Sequence, residues 1–135
     1  MARVYITRHI PEKGISMLRD AGHEVEVSAK DGVLAATELK EVLSKKPYDA
    51  VLCLLTDLIT KEVFDAVPTA KIFANYAVGY NNIQMEDAKT AGVTITNTPG
   101  VLTDTVAEYT VALMLSVAKR IPEADAFTRR GEYEG

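Results

Sequence analysis

Short runs of β-branched, aromatic and other apolar residues recur five times along the chain, and the segments between them carry apolar residues at helical spacing. The first run, Arg3-Val4-Tyr5-Ile6-Thr7, predicts a strand. Pro11-Glu12 opens the following helix, with proline near the first helical position and an acid in the first turn. Ile15 and Leu18 give that helix its apolar face, and Gly22 ends it. Residues 23–27 alternate polar and apolar, the pattern of a half-exposed edge strand. After a loop through Asp31-Gly32, Thr37 is the expected cap of a helix whose Leu39, Val42 and Leu43 share one face, and Pro47 stops it. Ala50-Val51-Leu52-Cys53-Leu54-Leu55 is continuously apolar, which predicts a strand buried on both faces. Thr60 caps the next helix, with Ile59 before the cap and Phe64 inside it as a hydrophobic staple, and Pro68 ends it. Residues 71–76 form a fourth strand and lead into a turn over residues 77–82. A short helix over residues 85–91, closed by Gly92, precedes a fifth strand over residues 93–96.

Strands alternating with helices read as a parallel α/β sheet with right-handed crossovers. The edge-like second strand and the buried third favour the flavodoxin-like order 2-1-3-4-5. In that order the first helix covers one face of the sheet and the next three cover the other, so the first face needs a further helix. The remaining candidate in the chain is a long apolar helix over residues 105–121, where Thr105 followed by Glu108 reads as a capping box. Its Val106, Tyr109, Val111, Leu113, Met114, Leu115, Val117 and Ile121 spread around the axis instead of forming one stripe. A helix apolar all round expects burial on several sides, and it is too short to span a bilayer. The chain therefore divides into a flavodoxin-like region, residues 1–103, and a connecting helix with its tail, residues 104–135. Self-association as a homodimer through residues 105–121 is expected.

Composition narrows the partners. The 135 residues are 47% hydrophobic and 25% charged with net charge −4, as in an ordinary globular domain. Acids and bases are interspersed without a basic stripe, which argues against nucleic acid. No segment predicts a membrane span, and the N-terminus enters a strand directly, so no signal peptide is read and a cytoplasmic location is expected. The single cysteine, Cys53, lies in an apolar run and reads as a buried core residue.

Open parallel sheets take ligands beyond the carboxyl ends of their strands. Here that edge carries Thr7-Arg8-His9, Thr56-Asp57, Val78-Gly79-Tyr80-Asn81 and Thr98-Pro99-Gly100. The Val78-Gly79 turn is the most suggestive, because glycine permits close backbone approach and free N–H groups can hold a carboxylate or phosphate. The alternative is that Gly79 merely turns the chain. Asp57 after the third strand invites a phosphorylated receiver reading, but that chemistry needs acids after the first strand, where this chain has Thr7-Arg8-His9, and a lysine after the fifth. Asp57 is therefore read as a loop or turn residue. A flavin site is disfavoured because the loop after the first strand is not rich in serine, threonine and glycine. His9 has no carboxylate or cysteine pattern beside it that would make it a catalytic base or metal ligand, and Arg8 reads as a solvated cation. No catalytic or metal-binding residue is assigned.

Taken together, Ile6-Thr7-Arg8 with Ile10-Pro11-Glu12, Leu55-Thr56-Asp57, Asn75-Tyr76-Ala77-Val78-Gly79-Tyr80-Asn81-Asn82-Ile83 and Thr96-Asn97-Thr98-Pro99-Gly100-Val101-Leu102-Thr103-Asp104 resemble the D-2-hydroxyacid dehydrogenase family, and within it the glyoxylate and hydroxypyruvate reductases. Residues 124–131 continue the resemblance. It implies a substrate domain whose Val78 and Gly79 N–H groups face the substrate carboxylate, whose Leu55 and Thr56 line the pocket, and whose Thr105 lies near the nicotinamide end of NAD(P). Asn81 and Gln84 stand where the family commonly has aspartates. No G-x-G-x-x-G follows a strand, so no cofactor is expected on this chain alone, and a small 2-oxo or 2-hydroxy acid would bind weakly. The implied function is the substrate-domain portion of such an enzyme, not catalytic by itself. A free-standing binding module, a self-assembling module and one chain of a split enzyme stay open as alternatives.

Overall fold

The computed structural model describes residues 1–134. They form two compact units, Met1–Pro99 and Gly100–Gly135. In the first unit the strands β1 (Arg3–Ile6), β2 (Glu24–Val27), β3 (Ala50–Leu54), β4 (Ile72–Tyr76) and β5 (Thr94–Thr96) alternate with the helices α1 (Glu12–Asp20), α2 (Ala36–Ser44), α3 (Lys61–Ala66) and α4 (Met85–Ala91). All strand pairs are parallel, in the order β2-β1-β3-β4-β5. The fold is the flavodoxin-like α/β sheet that the alternation predicts.

Side-chain alternation along the strands divides the core. Tyr5, Val51, Cys53 and Phe73 point to the face covered by α2, α3 and α4, where they meet Leu39, Leu43, Val63, Phe64 and Ala88. Two aromatic pairs anchor this layer: Tyr5 with Tyr48 at 5.2 Å between ring centres, and Phe64 edge-on to Phe73 at 5.1 Å. Ile59 and Phe64 are both buried there, as a staple requires. Val4, Ile6 and Ile15 form the smaller core under α1.

Four expectations need correction. Thr60 stands at the start of α3, but its hydroxyl donates to the Glu62 carboxylate at 2.8 Å and makes no cap to the helix backbone. β3 is not buried on both faces: Val51 and Cys53 are buried, while Ala50, Leu52 and Leu54 are only half-buried. The reason is that α1 is the one helix of this unit on that face, and its core centres on β1 and β2. α2 begins one residue before Thr37, and Glu38 reaches back to accept the Ala35 N–H at 2.7 Å, so no threonine cap forms. The last expected helix is two helices, α5 (Thr103–Ala118) and α6 (Ile121–Arg129). α5 starts two residues before Thr105, which is therefore inside the helix and makes no cap. The chain turns at Gly100, Val106 donates to the Leu102 carbonyl at 2.9 Å, and the helix winds straight out of that turn. Arg120 in a left-handed conformation (φ 52°) separates α5 from α6. No residue of α5 is buried. Among the described residues no helix is long and apolar enough to cross a membrane.

Candidate functional site at the carboxyl ends of β3 and β4

β3 and β4 pair with Leu54 beside Tyr76, so the segments that leave them emerge side by side. A short parallel bridge continues the contact: Ile59 N–H donates to Asn82 O at 2.8 Å and Gln84 N–H to Ile59 O at 2.9 Å. Leu55 and Thr56 stand on one segment, both exposed; Val78 and Gly79 stand on the other, also exposed. The four substrate-site candidates are thus on neighbouring segments. Thr105 belongs to the second unit, as the third residue of α5, and is exposed.

The turn over residues 77–79 is held by its carbonyl oxygens. Thr98 N–H donates to Ala77 O at 2.9 Å. The Asn97 side-chain amide donates to Val78 O at 2.8 Å, and that of Asn75 to Gly79 O at 2.9 Å. A trans peptide directs its N–H opposite to its C=O. Pinning the Ala77 and Val78 carbonyls therefore turns the N–H groups of Val78 and Gly79 away from the chain. Among the described residues neither N–H donates to an acceptor. Gly79 does not have a positive φ, and a Cβ built on it would meet nothing within 4 Å. The backbone of this chain does not itself demand glycine there.

Beneath the turn lies a polar lattice that the sequence reading did not assign. Asp57 is 2% exposed and accepts from the Thr7 hydroxyl at 2.5 Å and from Leu54 N–H at 2.8 Å. It does sit in a turn, as expected, but a buried one. The Asn82 amide donates to Leu54 O at 3.1 Å and to Asp57 O at 3.0 Å, tying the two site segments together. Asn75, also 2% exposed, meets Asn82 at 3.2 Å. Among the described residues no buried side-chain nitrogen or oxygen lacks a partner, as a folded core requires. The signal available in the sequence was Asn75, a polar residue in an otherwise apolar strand.

Other candidates carry less. Cys53 is fully buried 3.6 Å from Asn75 Oδ1, and burial, aided by the charge of Asp57, pushes its thiol up to about 12. It is a core residue, as predicted. His9 is exposed, 3.8 Å from Glu12. Arg8 is half-buried and makes no ion pair among the described residues. These residues contain no cluster of His, Cys, Asp and Glu suited to a metal ion. The turn after β1 does not offer a phosphate cradle. It runs through Thr7, Arg8 and His9 into an α1 capped by Pro11, which has no N–H to offer a phosphate. A groove of about 600 Å³ lies between α2 and α3 and is lined by none of the carboxyl-edge residues.

Residues 4–132 match the family model described as D-isomer specific 2-hydroxyacid dehydrogenase, catalytic domain. A glyoxylate reductase of Thermococcus kodakarensis is 48% identical over 134 residues, which are 98% of this chain and 39% of that protein. The TT0316 protein of Thermus thermophilus superposes with a TM-score of 0.87 at 36% identity, over 98% of this chain and 42% of that one. An acyclic imino acid reductase, Bsp5, solved with NADPH and D-Arg, superposes with a TM-score of 0.81 at 26% identity, over 97% of this chain and 41% of its own. The chain thus spans about two fifths of the relatives it matches.

Proposed function

Because the chain belongs to the D-isomer specific 2-hydroxyacid dehydrogenase family, we propose that it is the substrate-binding portion of an enzyme that reduces glyoxylate, hydroxypyruvate or a similar small 2-oxo acid. The observation that supports this best is the turn at Val78-Gly79: two outward N–H groups without acceptors among the described residues, around a glycine that the chain's own packing does not require. On this reading the substrate carboxylate accepts from both donors, and Leu55 and Thr56 flank it. NAD(P) supplies the hydride in the complete enzyme; on this reading Thr105 lies near its nicotinamide end, and the phosphate-binding turn and the proton transfer belong to residues beyond this match. By itself the chain is a half-site. It lacks the enclosure of a ligand pocket, so it binds small 2-oxo acids weakly and does not turn them over. A free thiol at Cys53 suits a cytoplasmic enzyme.

The test is a titration of the isotope-labelled chain with glyoxylate, following backbone amide resonances. Shifts clustered at residues 77–80 are the expected outcome. Shifts clustered around Arg8 alone would overturn the assignment.

The second unit supports a partner. α5 leaves Val106, Tyr109, Val111, Leu113, Met114, Leu115 and Val117 between 49% and 78% exposed. A contiguous apolar surface of this kind marks an interface. On this reading two copies of the chain associate as a homodimer through α5.

A further inference from the structure

We propose that Asn97 is a positioning residue of the carboxylate site, acting through the carbonyl of Val78; this rests on the reading of Val78-Gly79 given above. The peptide that carries the Gly79 N–H is the same rigid plane that carries the Val78 carbonyl. That carbonyl accepts from Asn97 Nδ2 at 2.8 Å and from no other group among the described residues. Its neighbours are held differently. The Ala77 carbonyl accepts from the Thr98 backbone, and the Gly79 carbonyl from Asn75, which is buried. The peptide that bears the Gly79 donor is therefore the one whose direction depends on a single exposed side chain, nineteen residues away in sequence.

The placement follows from the sheet. β4 and β5 pair in parallel, with Ala74 beside Thr96. Asn97 is the first residue after β5, so by that register it stands level with Asn75, two residues before the turn over residues 77–79. Its amide reaches forward to the Val78 carbonyl and makes no other hydrogen bond among the described residues. An exposed side chain with one exposed hydrogen bond contributes little to folding; substitutions at such positions usually change stability by no more than about 0.5 kcal/mol. Its consequence is directional. With the amide present, the Gly79 N–H is aimed outward before any ligand arrives, and a carboxylate meets a donor already in place. Without it the peptide can rotate, and binding must first restore the direction, as preorganisation arguments require.

The experiment uses the chain itself, as wild type, Asn97→Ala and Asn97→His. The imidazole Nδ1 of histidine lies as many bonds from the backbone as the asparagine Nδ2, so the His variant can still donate to the Val78 carbonyl. Three quantities are read: the 15N resonance of Gly79 without ligand, the affinity for glyoxylate from amide shifts, and the urea unfolding midpoint. Asn97→Ala should move the Gly79 15N resonance, because that nitrogen shares a peptide with the released carbonyl. It should weaken glyoxylate about tenfold and leave the midpoint unchanged. Asn97→His should return the resonance and the affinity toward wild type. Affinity within twofold of wild type in Asn97→Ala, or weakened affinity with an unmoved Gly79 resonance, would overturn the proposal. So would a loss of affinity in both variants that tracks a lowered midpoint, since it would assign the residue to folding. If the wild type gives no shifts at residues 77–80, the carboxylate reading itself fails, a result distinct from failure of the Asn97 role.

Discussion

Two glycines of the same unit should respond oppositely to alanine, and the contrast separates a glycine kept for a ligand from one kept for the fold. Gly92 closes α4 in a left-handed conformation, φ 67° and ψ 30°. A Cβ there meets its own carbonyl, at about 1–2 kcal/mol. Gly79 has no positive φ, and nothing lies within 4 Å of where its Cβ would stand. Where native backbone geometry suits alanine, Gly→Ala stabilises by about 0.4–1 kcal/mol, because the unfolded chain has fewer conformations to lose. Gly79→Ala should thus be neutral or slightly stabilising, and the two variants should differ by about 1.5–3 kcal/mol. The chain has no tryptophan, so unfolding in urea is best followed by far-ultraviolet circular dichroism.

The functional arm of that comparison runs the other way. A carboxylate oxygen must come within about 2.7–3.2 Å of the Gly79 nitrogen to accept its hydrogen. A methyl group on the adjacent Cα occupies the space that now lies open. Gly79→Ala should weaken glyoxylate at least about tenfold, a loss of roughly 1.4 kcal/mol. Gly92→Ala, closing a helix outside the turn, should leave the affinity near wild type. Destabilisation by Gly79→Ala as large as that by Gly92→Ala, together with unchanged glyoxylate binding, would refute the reasoning. Gly79 would then be a glycine of the fold, and the open space beside it would have no functional meaning.

Stability should fall in alkali. Burial holds the Cys53 thiol at about 12, against an ordinary 9.0, and raises Tyr48 and Tyr5 above 10.0. These groups are neutral when protonated, so the unfolded chain loses its protons first and stability declines as pH rises above about 9. Cys53→Ala should flatten the decline between pH 9 and 12 by up to about 1.4 kcal/mol per pH unit; an unchanged slope in urea melts at successive pH values would contradict this. Thr7→Val removes the hydroxyl that donates to buried Asp57 at 2.5 Å, so it should cost about 1–3 kcal/mol in the same melts, and a change below about 0.5 kcal/mol would show that the bond is dispensable. Leu113→Glu or Met114→Glu on α5 should convert a dimeric wild type into monomer in sedimentation at tens of micromolar, whereas a monomeric wild type that exposes no apolar surface to dyes would remove the basis for the interface.

The fold was legible because its signals are local. Five strand–helix repeats, a proline or glycine at most boundaries, and an alternating second strand leave few topologies once right-handed crossovers are imposed. What escaped was set by packing that the local pattern does not encode. The continuous apolar run at residues 50–55 could not reveal that α1 covers only part of its face, so Leu52 and Leu54 stay half-buried. The pair Thr105 and Glu108 matched a capping box, yet the turn at Gly100 had already begun the helix. In the candidate site the glycine turn could be read directly. Its supports could not, because Thr7 and Asp57 are fifty residues apart, Leu54 and Asn82 twenty-eight, and Asn97 and Val78 nineteen. Each pair meets only because the strand order brings its segments together.

That separation bears on how the site works. The groups that hold the Ala77, Val78 and Gly79 carbonyls act from behind, and among the described residues the Val78 and Gly79 N–H groups donate to no acceptor. On the proposed reading, a carboxylate arriving at Val78 and Gly79 exchanges water on two N–H groups for its own oxygens, and such an exchange is worth only about 1.5–3 kcal/mol per bond to a charged acceptor. Two bonds of that size must first offset the lost freedom of the ligand, which is why the half-site is expected to be weak in spite of good preorganisation. Enclosure changes the terms. When water is excluded from the other side, the same two donors act in a medium of lower dielectric and are worth more. On the proposed reading, a rigid frame that fixes the direction of donors and leaves the enclosure to other residues would couple tight binding of a carboxylate to closure of the complete enzyme around it.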